Sequence, residues 1–274
     1  MTEPLPEARN RLRSALSPAT TVERITIGDR VVLVEVAGSA GKTAGLAHRP
    51  EGEPPSTEQL DVERLLEAAT RDPENAADRL ERALGIATMN ALSAPAIDWQ
   101  TGDPMALLDD DVDRIVTVGL FGPAFRKFDD VEVRVIEREP LDDVSVQTPE
   151  GVRVRTFTPA ETDAAMADAE VVFVTGSAFI YGGVGRYLAA APADATVIVI
   201  GATASFLPAP LFAAGVDVVA GASVTDVESV REAVEAGACG TDLHDAGVAK
   251  VYVAAERTAG VRLETTIEDE PTNL

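Results

Sequence analysis

The sequence is short of the residues that most often carry chemistry: one cysteine, two histidines, one tryptophan and three tyrosines in 274 positions. With Cys239 alone, no intrachain disulfide can form, and a metal or iron–sulfur site built from several cysteines of one chain is excluded. No stretch approaches the roughly 18 consecutive apolar residues of a membrane span. Met1 to Asn10 lacks the basic-then-apolar layout of a secretion signal. A cytoplasmic protein with no membrane partner is therefore the expectation. Lysine is nearly absent too, at three residues, and 46 Asp and Glu outnumber 23 Lys and Arg to give a formal charge of −23. No basic stripe is visible, and phosphate backbones need one, so nucleic acid is not an expected partner.

Lysine-poor acidity of this kind suits a halophilic protein. Dense carboxylates stay hydrated and keep a chain soluble in concentrated salt, which also screens their mutual repulsion. With 46% hydrophobic residues, the chain is long enough to bury two ordinary domain cores.

The N-terminal part reads as α+β. A helix is expected from Pro6 to Ser17, then two strands, Val22 to Ile27 and Val31 to Val36, flanking the hairpin turn Gly28-Asp29-Arg30. Gly38 to Pro55 is rich in glycine and proline and reads as loop, with room for one more short strand. Helices follow from Thr57 or Asp61 and from about Asn75 to Ala91. Asp98 to Asp113 reads as a solvated linker, and the domains are drawn at 1–108 and 109–274.

Beyond the linker, strands alternate with helical stretches, the signature of a mostly parallel sheet in a Rossmann-like domain. Candidate strands are Arg114 to Val118, Val131 to Ile136, Val152 to Thr156, Glu170 to Thr175, Thr196 to Ile200 and Val216 to Ala220. Right-handed crossovers give the order 3-2-1-4-5-6. The polar tail from Glu268 to Leu274 reads as frayed.

In such a sheet ligands bind at the carboxyl ends of the strands, where the order reverses. Three loops there are rich in glycine and hydroxyls: Gly119-Leu120-Phe121-Gly122, Thr175-Gly176-Ser177, and Gly201-Ala202-Thr203-Ala204-Ser205. Glycine lets backbone N–H groups approach a ligand, and hydroxyls hydrogen-bond polar or anionic groups. Tight turns that need glycine and nothing more are the plainer reading of each loop alone. Glu137 closes the second strand, where an acid can hold a ribose hydroxyl, yet Gly119 to Gly122 is not a full dinucleotide fingerprint.

Gly38-Ser39-Ala40-Gly41-Lys42-Thr43 imitates a phosphate-binding P-loop but fails on spacing, since Val36 occupies the first glycine's position. Lys42 and Thr43 remain binding candidates on a glycine-flanked loop. His48, His244 and Cys239 have no recognised metal spacing, so a buried cysteine and a capping or exposed histidine are the plainer expectation. No Ser-His-Asp ordering or H-E-x-x-H motif supports a hydrolase.

Several segments together resemble a family of unknown function described as heavy-metal chelatases, in which an enolase-N-terminal-like domain precedes a Rossmann-like one. They are Gly41-Lys42-Thr43-Ala44-Gly45-Leu46-Ala47, Gly85 to Leu92, Val118 to Gly122, Val135 to Pro140, Val174 to Ser177, and the run from Gly201 through Leu207-Pro208 and Leu211-Phe212 to Gly215-Val216-Asp217 and Ala220-Gly221. The resemblance implies a cleft between the domains, with Asn90 and the Lys42 loop facing the strand ends. Two places depart from the family pattern: Tyr181-Gly182-Gly183 stands for an Asn-Gly-Thr-like segment, and Gly201-Ala202-Thr203-Ala204 for a Gly-Pro-Ser-Thr-like turn.

The leading expectation is a small polar, anionic or metal-bearing ligand in that cleft. It would be held by Lys42, Thr43, Asn90, Gly119, Phe121, Gly122, Glu137, Thr175, Gly176, Ser177, Gly201, Thr203 and Ser205. A metal ion stays open as cofactor, turnover stays open, and so does a homo-oligomer. The alternatives are a transferase or oxidoreductase whose adenosine-containing cofactor Glu137 would hold, and a non-catalytic oligomeric scaffold whose loops only pack.

Overall fold

The computed structural model describes residues 3–39, 41–139, 148–255 and 259–263. Ala40, Pro140 and the 268–274 tail lie outside the described residues. Helix α1 (Pro4–Ala15) begins at a proline, whose missing N–H is no loss in a first turn, and buries Leu5, Ala8 and Leu12. It starts and ends two residues earlier than its apolar spacing suggests. Strands β1 (Thr21–Ile27), β2 (Val31–Gly38) and β3 (Gly41–His48) form an antiparallel sheet in sequence order. β3 takes up the room left for one more strand in the glycine-rich stretch, longer than expected, with eight residues pairing with β2. Helices α2 (Val62–Thr70) and α3 (Ala76–Ser93) are capped by Asp61 and Asn75, each accepting a first-turn N–H.

The smallness of β3 is what its packing needs. A Cβ on Gly45 would lie 2.2 Å from the Ala87 carbonyl oxygen and 2.4 Å from the Ala91 nitrogen, so strand and α3 meet backbone to backbone. Alternation along β2 sends Val32, Val34 and Val36 to the helices α1–α3. Leu33 on the opposite face joins Ala44, Leu46 and residues of the C-terminal half.

The second sheet contains β4 (Gln100–Thr101), β5 (Arg114–Val118), β6 (Glu132–Ile136), β7 (Arg153–Phe157), then β8 (Val171–Thr175) after the short helix α4 (Thr162–Met166). Helices α5 (Ala178–Tyr181) and α6 (Val184–Ala190) lead to β9 (Thr196–Ile200), and α7 (Ala209–Phe212) to β10 (Val218–Val224). Helices α8 (Val227–Glu235) and α9 (Thr241–Asp245) precede β11 (Val248–Ala254). Spatial order is β4-β11-β10-β9-β8-β5-β6-β7. Strands β5 to β10 thus run in the doubly wound order read from the sequence, with β5 and β8 flanking the reversal.

Two additions were not legible. β11 pairs antiparallel with β10, and β4 pairs with β11, drawing the supposed linker into the sheet. Met105 is buried there, and Asp103 receives both Lys127 and Lys250, two of the chain's three lysines. Burial pushes the Asp103 carboxyl up, but hydrogen bonds from the two ammonium groups outweigh it and hold it below its usual value.

Arg134 on β6 is also buried. Its guanidinium donates to the carbonyls of Ala165 and Ala167 at the end of α4 and pairs with Glu132, so its polar groups are satisfied inside the fold. Among the described residues no helix is long and apolar enough to cross a membrane.

Candidate functional site

The chain reverses at Gly119 with φ +99°, a backbone region that side chains avoid, and a Cβ there would sit 2.9 Å from Thr175 Cγ2. The loops after β5 and β8 therefore touch. Gly176 is equally hemmed in, with Ala204 N 2.8 Å and Thr203 Cβ 3.1 Å from the position of a Cβ. Thr175 and Ser177 hydroxyls lie 3.1 Å apart. So the structure brings Gly119, Thr175, Gly176, Ser177, Gly201 and Thr203 to one edge of the sheet. Phe121 and Gly122 lead into a 3-10 turn (Gly122–Lys127), and Phe121 packs against the core rather than outward. Ser205 is buried, donating to the Ala202 carbonyl and accepting the Ala222 N–H.

Glu137 holds the first loop in place. One carboxylate oxygen accepts the Leu120 N–H at 2.6 Å and the other the Arg138 N–H at 3.2 Å. The acid suggested for a ribose thus accepts two backbone N–H groups, one on each oxygen.

The N-terminal sheet meets this edge through β3. The His48 N–H donates to Thr203 Oγ1 at 2.9 Å. Asn90 Nδ2 donates to the carbonyls of Leu46 at 2.7 Å and Ala202 at 3.0 Å, with Thr203 O at 3.4 Å, so the amide ties β3 to the loop after β9. Lys42 and Thr43 are not brought there. They lie at the far end of β3, six residues and about 20 Å from His48 at strand rise. Lys42 is 75% exposed and pairs with Glu23.

Three side chains missing from the sequence-based set complete the site. Tyr181, at the end of α5, places its hydroxyl 3.1 Å from His48 Nε2. The Arg138 guanidinium carbon lies over the Tyr181 ring, 3.5 Å from its centroid. Burial, then Arg138, then Arg30 lower the His48 pKa, so the imidazole is neutral where an ordinary histidine would be partly charged. Burial likewise pushes the nearby Tyr187 phenol up, with Arg186 and Arg138 opposing. Leu120, on the same edge, is an exposed large hydrophobic side chain. Rarity was the available signal, since the chain has two histidines and three tyrosines.

Metal donors are not gathered. Among the described residues no three His, Cys, Asp or Glu side chains form a metal-holding group. Cys239 is exposed, which corrects the expectation of a buried thiol. His244 Nδ1 is bonded to the Val248 carbonyl, 2.7 Å away. Two cavities lie elsewhere. One of about 330 Å³ is bounded by Leu60, Leu65, Ala68 and the Arg71–Glu81 pair. Another of about 440 Å³ opens at the amino ends of the strands and carries Asp111, Asp168, Glu170 and Asp194, charges that repel an anion.

A mostly parallel eight-stranded sheet, a small antiparallel sheet packed on its carboxyl edge, and cations over that edge define a two-sheet α/β protein. Residues 103–253 match the model of the DUF364 family and residues 9–93 that of DUF4213, both described as "Putative heavy-metal chelation". The chain belongs to the DUF364 family. It is similar in fold to a DUF364 protein of unknown function from Pyrococcus horikoshii, with TM-score 0.75 and 21% identity over 92% of this chain and 100% of that one. A DUF364 protein of unknown function from Desulfitobacterium hafniense aligns with TM-score 0.68 and 13% identity, over 90% of this chain and 98% of the other. No curated protein matches the sequence.

Proposed function

We propose that the protein binds a small anion at the carboxyl ends of the strands, between Arg138 and the loops that follow β5 and β8. The unit from 1 to 108 supplies His48, and the unit from 109 to 274 supplies Arg138, Tyr181 and the hydroxyls. The reading rests on Arg138: its guanidinium, planar by delocalisation and held over the Tyr181 ring, can meet a carboxylate or phosphate with two parallel hydrogen bonds. No carboxylate among the described residues pairs with it. In a chain of net charge −23, cations left facing solvent around a strand-end loop favour an anionic ligand.

The family's description fits this reading if the metal is cargo. A bare ion finds no donor set among the described residues, whereas a metal carried in an anionic chelate would be held through the chelator's own carboxylates or phosphates. An adenosine cofactor draws less support, because Glu137 already accepts two backbone N–H groups.

Calorimetric titration with sulfate, citrate and ferric citrate at low ionic strength tests the proposal. Binding is the measure, since such anions raise melting temperatures of many proteins without a site. Arg138→Gln should weaken binding about tenfold or more, the loss of a charge-assisted pair. Equal affinity in the variant would remove Arg138 from the site.

A further inference from the structure

The anion site contains one pair of groups that anion binding alone does not use. His48 Nε2 and the Tyr181 hydroxyl face each other at 3.1 Å across the joint between the two sheets, with ring centroids 5.8 Å apart. Neither partner is free to drift. The His48 backbone is fixed to Thr203, and the Tyr181 ring lies beneath the Arg138 guanidinium. We propose that His48 and Tyr181 form a proton relay serving the anion bound at Arg138, so that the Tyr181 hydroxyl becomes a proton donor to the ligand when His48 takes up a proton. The proposal rests on the anion-site reading.

In the ligand-free protein the neutral imidazole carries its hydrogen on Nδ1 and accepts the Tyr181 hydroxyl hydrogen at Nε2. The groups acting on His48 from the elements around it are Arg138 after β6, Arg30 in the turn between β1 and β2, and Tyr181 on α5; no described carboxylate is among them. Burial first, and the two guanidinium groups after it, disfavour imidazolium. An anion at Arg138 cancels part of that field, and one proton from solvent binds at Nε2. The new Nε2–H donates to the Tyr181 oxygen, and the Tyr181 hydrogen turns to an oxygen of the anion. The one covalent change in the protein is the new Nε2–H bond of His48. What results is a neutral phenol backed by imidazolium and aimed at an anionic oxygen, the arrangement required for general-acid assistance to a carboxylate- or phosphate-bearing substrate.

Sulfate is the suitable probe, because it does not titrate near neutrality. Titrating it at about pH 6.5, the ordinary histidine value, in buffers of different ionisation enthalpy reads the protons taken up per anion bound. The expected result is a fractional uptake, up to about half a proton per sulfate at the ordinary histidine pKa, in the wild type and none in His48→Gln. Tyr181→Phe should bind sulfate about tenfold less tightly, through loss of a hydrogen bond to a charged group. A second measurement needs no ligand: nitrogen-15 spectra of the two imidazoles, separated with His244→Gln, should show His48 protonated on Nδ1, a preference lost in Tyr181→Phe. Sulfate binding whose enthalpy is the same in every buffer overturns the relay while leaving the anion site standing. Absence of sulfate binding overturns both. An Nε2–H tautomer of His48 in the wild type overturns the ligand-free half of the relay.

Discussion

Asn90 shows how a residue can be conspicuous in the sequence and do a different job in the fold. It was a ligand candidate, and it does face the strand ends. Its amide hydrogens, however, go to carbonyls on β3 and on the loop after β9, and the side chain is 2% exposed. The Asn90 Oδ1 is buried with no partner among the described residues, so the donor half carries the contact. Asn90→Ala leaves the buried Leu46 carbonyl without its donor and takes one donor from the Ala202 carbonyl, which keeps that of Ser205, and should cost about 1–3 kcal/mol. Urea unfolding measures it, and a change under about 0.5 kcal/mol, the range of an ordinary surface substitution, would show that the amide does not hold the joint. His48, Arg138 and Tyr181 were illegible for a related reason. Each belongs to a separate element, and their meeting is a product of tertiary packing that no local spacing records.

At the scale of elements, legibility followed burial. Val171 to Thr175 and Thr196 to Ile200 are continuous β-branched and apolar runs, and both emerged at their read positions because strands covered on two faces need such runs. β3 was legible only as room for a short strand because Gly41, Ala44, Gly45 and Ala47 have low strand propensity, and contact with α3 explains them. The same helix is approached as closely on its other side. A Cβ on Gly85 would lie 2.3 Å from the Leu65 carbonyl oxygen and 2.5 Å from Ala69 N. Two effects then compete in Gly85→Ala. Alanine gains about 1 kcal/mol of helix propensity, while forcing α2 and α3 apart costs about 1–3 kcal/mol or more. The backbone atoms cannot swing aside, so overpacking should win and the variant should unfold at lower guanidinium concentration. A stabilised variant would mean that the two helices separate at little cost.

For the whole molecule, the small sheet is covered by both halves of the chain. One face lies on α1 to α3; the other holds Leu33, Ala44 and Leu46 against Val230, Val234 and Leu243. Glu35 on that second face pairs with Arg231 of α8 at 3.2 Å. The N-terminal unit is therefore unfinished by itself. Expressed as residues 1–98, it should bind a hydrophobic dye strongly and aggregate, while the full chain unfolds in one cooperative transition. A monomeric, dye-silent fragment would contradict this account of the joint. The large sheet ends differently. At one margin β4 offers only two residues, and at the other β7 turns Arg153 and Arg155 to solvent. A strand arriving from another molecule would find too little backbone to pair with at the first margin and a fence of guanidinium groups at the second. The sheet is therefore closed to growth, and crowded copies of the protein can collide at these margins without polymerising through them.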